Sequence, residues 1–323
     1  MTADPAPARP RKKKSGNARL WLWLHGWLAL PLWAYLALIC ITGTLATVSH
    51  EILWLADPEV RATAPSPDAS RLPASALAQS VIDRHPGSQL REIEWPEAGY
   101  LAPSVQIADA AGQLVTYYVD PYTGREQGIA GPMPFPEFLR ALHGWLLLPW
   151  PDTHYSWGWY AVTAMGLPML GSLITGILIY KKFWRAYLNP RLRIGKGARI
   201  FWGDLHRLAG IWSLPFVAII ALSGTWFLLS GLLYDLTGFR VFPPGAVIAP
   251  GDVPQVESRA ALAPLDLDRA LATARQAVPG LQVGDLSLPG DPYTPIMVYG
   301  RDSVPLVYAQ AAISPYDGRV MQT

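Results

Sequence analysis

The stretch LWLWLHGWLALPLWAYLALICITGTLATVS, residues 20–49, contains no Asp, Glu, Lys or Arg. As one helix it would extend about 45 Å, which is enough to cross a hydrocarbon core of ~30 Å. It is too long for the apolar part of a cleaved signal peptide, and no A-x-A cleavage site follows it. The stretch therefore predicts an uncleaved membrane span over residues 20–50.

Two further apolar stretches, residues 156–180 and 205–234, predict a second and a third span. Charged residues make up only 15% of the chain, against roughly 25% in soluble domains. The basic residues cluster beside the spans, with six among residues 1–19 and seven between residues 181 and 199. Such runs could also bind nucleic acid, but their position beside apolar stretches follows the positive-inside rule, and we expect no nucleic-acid partner.

The charge distribution predicts an orientation in the membrane. The basic tail (1–19) and the basic loop (181–204) belong on the cytoplasmic side. The spans then run outward, inward and outward, which places residues 52–137 and 236–323 in the periplasm, or outside a Gram-positive cell. An amphipathic helix over residues 138–150 is predicted to lie at the membrane interface before the second span.

The chain also contains an internal repeat. The matched segments are Leu24–Gly26 with Leu205–Arg207, Pro31 with Pro215, Thr42–Thr44 with Ser223–Thr225, and Asp120–Arg125 with Ser314–Arg319. A co-linear series of matches indicates duplication rather than chance.

Each soluble segment has a helical pattern, at residues 74–84 and 267–277, followed by strand patterns that include residues 115–119 and 305–313. We therefore predict a membrane all-α bundle with two small α+β modules. In the second repeat the chain ends four residues after Arg319, so the fourth span that the pattern leads us to expect is missing. Either this is a truncated copy or the helix is supplied from elsewhere.

Two histidines, His25 and His206, occupy equivalent repeat positions at the predicted cytoplasmic ends of spans. Each lies 18 residues before a glycine, Gly43 or Gly224, which is five helical turns at ~100° per residue and places each pair on one face. That face leaves room for a flat, bulky group. Ionisable residues inside a span are costly and usually mark function. The alternative is an interfacial histidine that hydrogen-bonds to a neighbouring helix.

The other histidines have no partner in the repeat. His143 lies in the amphipathic segment FLRALHGW, residues 138–145, and His50 lies 25 residues after His25. These two could meet at the outer face, or each could be an ordinary interfacial residue. His85 is predicted at the surface of its module. His154 is predicted in a solvated loop and is the reserve candidate for an outer site.

The pattern of candidate ligands favours haem over other cofactors. Zinc would need closely spaced Cys, His or carboxylate ligands, and the sequence has none. Haem b needs one or two axial imidazoles from facing helices and an apolar, aromatic pocket. The absence of C-x-x-C-H excludes covalent attachment, and Cys40 is predicted to be a buried structural thiol. No G-x-G-x-x-G or P-loop is present, so nicotinamide and flavin are not expected, and the electron donor must be a protein partner or a quinol.

The L-H motifs, the T-G-T and S-G-T tripeptides, F-L-R-x-L-H and D-P-Y-T-G-R together resemble the PepSY-associated transmembrane family from about Ala18 to Arg319. This family of iron-regulated bacterial inner-membrane proteins includes siderophore-iron reductases. The resemblance implies periplasmic PepSY-like modules on a bundle that binds b-type haem. Its motif histidines correspond to His25, His143 and His206, as axial ligands of haem iron, with His50 as an addition. The family's last helix, which carries a further L-H motif, has no counterpart here.

The leading hypothesis is a haem protein that moves electrons across the inner membrane to reduce ferric siderophores. His25 and His206 would hold an inner haem, and His143, with His50, an outer one. The first alternative is a non-enzymatic PepSY protein that binds or regulates a peptidase or an iron-uptake partner. A subunit of an uptake permease is disfavoured, because the spans contain no charged residue that could line a path for a polar solute.

Overall fold

The computed structural model describes residues 16–29, 33–151, 153–180, 183–240, 245–254, 266–304 and 307–323. The chain divides into two compact units, Met1–Ala46 with Leu139–Val241 and Thr47–Phe138 with Phe242–Thr323. We call the first the helical unit and the second the sheet unit. The predictions for Pro31, for Lys181 and Lys182 and for most of the basic tail fall outside the described residues.

The helices and strands are as follows. In chain order, the helices are α1 (Gly16–Ala29), α2 (Trp33–Thr47), α3 (Ser49–Ala56), α4 (Ala74–Ile82), α5 (Phe135–Trp145), α6 (Trp157–Thr163), α7 (Gly166–Ile179), α8 (Phe183–Leu188), α9 (Ala198–Trp212), α10 (Leu214–Thr237) and α11 (Leu267–Ala277). The strands are β1 (Gln89–Glu94), β2 (Ser104–Ala108), β3 (Leu114–Val119), β4 (Glu126–Ile129), β5 (Gln282–Ser287), β6 (Ile296–Arg301), β7 (Tyr308–Ile313) and β8 (Val320–Gln322).

The helical unit contains segments long and apolar enough to cross a membrane. They are Trp157–Ile179, of 23 residues, and Leu214–Thr237, of 24 residues. The pair α1 and α2 makes a third span if it is taken as one, with a bend of 56° between its helices. The membrane span predicted over residues 20–50 stays a prediction, because α1 and α2 reach the length of a span only when they are taken together.

The third predicted span is divided in the same way. Helix α9 ends at Trp212, and α10 begins at Leu214 with Pro215 in its first turn. The apolar segment thus starts at Leu214 rather than at Leu205. A proline is accepted in the first turn of a helix because the amide there has no helical partner. Both repeats therefore consist of a helix that carries a histidine, followed by a second, apolar helix.

The sheet unit contains one continuous sheet. The described strands form an eight-stranded sheet in the order β4-β3-β2-β1-β5-β6-β7-β8, with antiparallel neighbours. The two predicted modules correspond to its two halves, and the two halves share one sheet. Pairing of β1 with β5, with Ile93 opposite Leu286, joins the halves. This pairing removes the open edge that each half would otherwise present.

The core of this unit lies on one face of the sheet. Helices α4 and α11 supply buried Leu77 and Leu271, and the strands supply Ile93 and Leu286, among a cluster that includes residues of both halves. Side chains alternate between the faces of a strand, so the neighbours of Ile93 on β1 lie on the opposite face. Helix α4 ends at Ile82, slightly before the predicted Arg84.

The repeated turn motif has the same structure in both halves. Gly124 and Gly318 have φ angles of +71° and +73°, which glycine adopts without steric cost. The side-chain oxygens of Asp120 and Ser314 accept hydrogen bonds from the amides two and three residues further on. The repeat therefore extends from sequence to backbone geometry.

The amphipathic helix predicted over residues 138–150 is α5, Phe135–Trp145. It ends early because Leu146 and Leu147 have φ angles of 55° and 59°. These values lie in the left-handed region, where a right-handed helix cannot continue.

Candidate functional site

The helical unit contains a cavity of about 570 Å³ that is partly open, a volume within the range of small-molecule and cofactor pockets. Its walls come from α1, α2, α7, α9 and α10 and are mainly apolar, with Leu28, Leu36 and Met169 among them. The polar residues of the lining are His25, Cys40, Ser172, Tyr180, His206, Arg207 and Ser213.

The two histidines of the internal repeat face each other across this cavity. The ring centres of His25 and His206 lie 6.1 Å apart, and the rings are inclined by 62°. His25 is half-buried and His206 is exposed to the cavity. The structure therefore brings together the pair that the repeat singled out.

The ring of His25 is held by α7. Its Nδ1 atom lies 3.2 Å from the carbonyl oxygen of Ser172 and 3.1 Å from Oγ1 of Thr175. Gly176 lies beside the ring, and a Cβ atom there would be 3.7 Å from Cε1 of His25, an ordinary contact. The other ring nitrogen, Nε2, has none of these contacts.

The helix that carries His206 is anchored by a buried carboxylate. Asp204 on α9 is 4% exposed, and its oxygens accept hydrogen bonds from Nε and Nη2 of Arg193 at 2.8 and 2.9 Å, and from Arg207. The hydrogen bonds from Arg193 hold the pKa of Asp204 well below its usual range and outweigh the opposing effect of burial. The sequence pattern did not predict this cluster, because the basic residues of the loop indicate only the side of the membrane on which it lies. The sequence feature that indicates the cluster is Asp204, an acidic residue that follows the basic residues of the loop.

The residues present fit a haem with two imidazole ligands. Metal–imidazole bonds of about 2 Å put two ligating nitrogens on opposite sides of one ion about 4 Å apart. The centre of each ring lies farther from the ion than its ligating nitrogen does, so the ring centres must be more than about 4 Å apart. The 6.1 Å between the ring centres of His25 and His206 agrees with this requirement. Among the described residues, no group of three or more His, Cys, Asp and Glu is placed to hold a bare metal ion.

His143 lies elsewhere in the helical unit, against α2. Its Nδ1 atom is 3.0 Å from the carbonyl oxygen of Ile39 and 3.4 Å from Oγ1 of Thr42. The ring covers Gly43, where an added Cβ would come within 2.8 Å of Cε1 of His143.

The predicted faces shared by His25 with Gly43 and by His206 with Gly224 are wrong. The breaks before α2 and α10 put each histidine and its glycine on different helices. Gly43 packs against the ring of His143. Gly224 packs against α7, where an added Cβ would lie 3.5 Å from Cα of Gly166.

His50 lies on α3 in the sheet unit, so its pairing with His143 of the helical unit stays a prediction. It lines a cavity of about 650 Å³ on the sheet, together with Leu53, Tyr118 and other residues. The acidic residues of this lining are Glu92, Glu94 and Glu137. Burial and nearby carboxylates, with Glu137 the largest charge effect, raise the pKa of Tyr118 to about 12.

The remaining candidates have local roles. His85 stacks on Tyr117 with ring centres 4.5 Å apart and lies 3.2 Å from Oε1 of Glu126. His154 donates from Nδ1 to the carbonyl oxygen of Tyr155 at 2.8 Å. The prediction of Cys40 as a buried thiol is wrong, because it is exposed on the face of α2 that lines the helical cavity.

A second polar anchor in the helical unit involves Asp235, near the end of α10. It accepts hydrogen bonds from the amide of Tyr155, at 3.2 Å, and from the hydroxyl of Tyr160. Tyr155 belongs to a cluster of aromatic rings whose centres lie 5.5 to 5.7 Å from a neighbour; the others are Trp145, Trp150, Trp159 and Tyr234. The sequence pattern did not predict the hydrogen bonds to Asp235.

Comparison with known proteins places these features in a family. The family model described as PepSY-associated TM region matches residues 22–322. An uncharacterized protein of Pseudomonas aeruginosa is 30% identical over 164 residues, which are 48% of this chain and 39% of that protein. The match thus spans well under half the length of the relative. Because the family model covers nearly the whole chain, this protein belongs to the PepSY-associated TM family of membrane proteins.

Proposed function

We propose that this protein binds b-type haem between His25 and His206 and passes electrons across a bacterial inner membrane to ferric siderophores. The observation that carries the proposal is the pair of imidazoles, 6.1 Å apart between ring centres, in a mainly apolar cavity. Membership of the PepSY-associated TM family supports the membrane setting.

The roles of the residues follow from their positions. His25 on α1 and His206 on α9 would hold the haem, and α7 orients the ring of His25. The apolar walls limit access of water, which helps to set the potential of a bound haem. When bound, haem supplies one-electron transfer between Fe(III) and Fe(II). Catalytic residues for the chelate are not assigned, because no described cluster is built as a siderophore pocket.

The proposed route uses the predicted topology. The positive-inside rule places the basic tail and loop in the cytoplasm and the sheet unit in the periplasm. A quinol or a protein partner would give one electron to the inner haem. A second haem, at His143, would lie toward the periplasm. The electron would then reduce Fe(III) of the chelate to Fe(II), which oxygen ligands hold poorly.

An optical spectrum of the full chain in detergent, expressed with haem precursor, tests this proposal. We expect the split α and β bands of low-spin b haem after dithionite reduction. His25→Ala and His206→Ala should each remove the same haem, whereas His85→Ala, a histidine of the sheet unit, should keep it. A colourless protein, or full haem content in both variants, would contradict the proposal.

The sheet-unit cavity favours a second candidate function, a binding or regulatory role toward a peptidase or an iron-uptake partner. A pocket of about 650 Å³ with acidic lining can hold a ligand without any cofactor. If the purified protein binds no haem yet forms a complex with such a partner, and Glu92→Gln with Glu94→Gln weakens that complex, this candidate replaces the first.

A further inference from the structure

His25 and His143 are held by the same local structure on two different helices. Each packs against a carbonyl oxygen at position i, a threonine at i+3 and a glycine at i+4. We call this structure the histidine seat. The seat on α7 consists of Ser172, Thr175 and Gly176, and the seat on α2 consists of Ile39, Thr42 and Gly43.

We infer that the two seats are positioning sites that protonate each ring at Nδ1 and so present Nε2 of His25 and His143 as the metal-binding nitrogen. The use of that nitrogen by haem rests on the proposed function. The state of the rings does not, because it follows from the hydrogen bonds alone.

The contacts are alike in both seats. In the seat on α7, Nδ1 of His25 lies 3.2 Å from the carbonyl oxygen and 3.1 Å from the threonine oxygen. In the seat on α2, the corresponding distances from His143 are 3.0 and 3.4 Å. Both threonines are 4% exposed, so solvent does not replace a missing partner.

The direction of the hydrogen bonds follows from counting protons. A hydroxyl has one proton. Thr175 is placed to donate it to the carbonyl oxygen of Gly171 at 2.8 Å, and Thr42 to that of Leu38 at 2.9 Å. Each threonine oxygen is then left to accept. A carbonyl oxygen also only accepts, so Nδ1 of both rings must be the donor.

The consequence for the rings is chemical. In a neutral imidazole, a proton on Nδ1 leaves the lone pair on Nε2. Histidines that bind metals usually donate their other N–H to a carbonyl or a similar acceptor, which fixes the ring and raises its basicity. The hydroxyl of Ser172 is also near Nδ1 of His25, at 3.4 Å, but it is the most distant of the three oxygens.

A short sequence signal accompanies both seats. They contain Ile41-Thr42-Gly43 and Ile174-Thr175-Gly176. The related tripeptide Ser223-Gly224-Thr225 is not a seat, because its glycine packs against Gly166 on another helix. The tripeptide Ile-Thr-Gly therefore indicates a histidine seat only where a facing helix carries a histidine.

Nitrogen NMR of the full chain, labelled with ¹⁵N-histidine and kept free of haem, tests the inference without reference to function. At a pH about two units above the ordinary imidazole pKa of about 6.5, the rings of His25 and His143 should carry the proton on Nδ1, in addition to the ring of His154. His25→Gln and His143→Gln assign these signals by removing one each. Protonation on Nε2 in either ring would overturn the assignment of that seat.

Haem binding provides the second measurement. Removal of an outer hydrogen-bond partner typically costs 10- to 100-fold in metal affinity, so Thr175→Val should raise the dissociation constant of haem about tenfold. Thr175→Ser, which keeps the hydroxyl, should restore it. Equal affinity of the valine variant and the original protein would overturn the positioning role. A protein that binds no haem would instead refute the proposed function and leave the NMR result to decide the inference.

Discussion

At the scale of single residues, the glycine of a histidine seat decides how closely the two helices approach. An added Cβ would lie 2.8 Å from the ring of His143 at Gly43, but 3.7 Å from the ring of His25 at Gly176. The first distance forces a shift and the second is an ordinary contact. The seat on α7 therefore accepts a larger residue in place of its glycine and the seat on α2 does not, although their hydrogen bonds are alike.

Gly43→Ala should destabilise the helical unit by about 1–3 kcal/mol, as overpacking usually does. Gly176→Ala is the matched control and should change stability by much less. Thermal unfolding of both variants in detergent measures the difference. Equal midpoints would show that His143 does not lie on Gly43.

A buried carboxyl in the sheet unit predicts a dependence on pH. Asp285 lies directly opposite Glu94, where β1 pairs with β5. Burial, followed by the hydrogen bond and charge of Glu92 and the charge of Glu94, raises the pKa of Asp285 far above its ordinary value of 3.8. The folded state thus keeps a proton that the unfolded state releases.

For a raised pKa, stability is greatest below the ordinary pKa and falls as the pH rises toward the folded-state value. Asp285→Asn should therefore raise the unfolding midpoint of the sheet unit in mildly alkaline buffer and leave it nearly unchanged near pH 4. Unfolding of the full chain, followed by the circular dichroism of the sheet at several pH values, gives the comparison. A stabilisation that is the same at every pH would contradict the shifted pKa.

At the scale of elements, α9 is fixed by the ion pair of Asp204 with Arg193. Asp204 lies two residues before His206 on this helix. Two parallel hydrogen bonds from one guanidinium give this pair a geometry that lysine does not reproduce. The low pKa of Asp204 keeps its charge through the neutral range, and the stability that it contributes is lost only in strong acid.

Asp204→Asn should loosen α9 and lower the affinity for haem about tenfold or more, as loss of an outer support does elsewhere. Arg193→Lys should not rescue the binding. Arg199→Lys, an exposed substitution on the same helix, is the control. Titration of the apoprotein with haem measures the effect, and unchanged affinity in the Asp204→Asn variant would show that the ion pairs do not position His206.

The sequence predicted the repeat, the apolar segments and the pairing of His25 with His206, because these depend on spacing along the chain. It did not predict that His206 and Gly224 lie on different helices, although Pro215 carried the signal. The contact of His143 with Thr42 and the pairing of β1 with β5 could not be predicted. Both depend on packing between segments far apart in sequence, for which a pattern of residue types gives no register.

At the scale of the whole molecule, the chain combines a helical unit, whose cavity carries the paired histidines, with a sheet unit that has a cavity of its own. The family places the molecule in a membrane. In the proposed function, the helical unit carries the electron and the sheet unit faces the compartment of the ferric chelate. That division depends on His25 and His206 binding the same iron.

The most direct test is the electron paramagnetic resonance spectrum of the oxidised, haem-loaded protein and of its His206→Ala variant. Two axial imidazoles give low-spin ferric haem, so the original protein should show a low-spin signal. The variant should lose the part of this signal that comes from the inner haem, either with the haem or by conversion to a high-spin signal. An unchanged low-spin signal in the His206→Ala variant would contradict the pairing of His25 with His206.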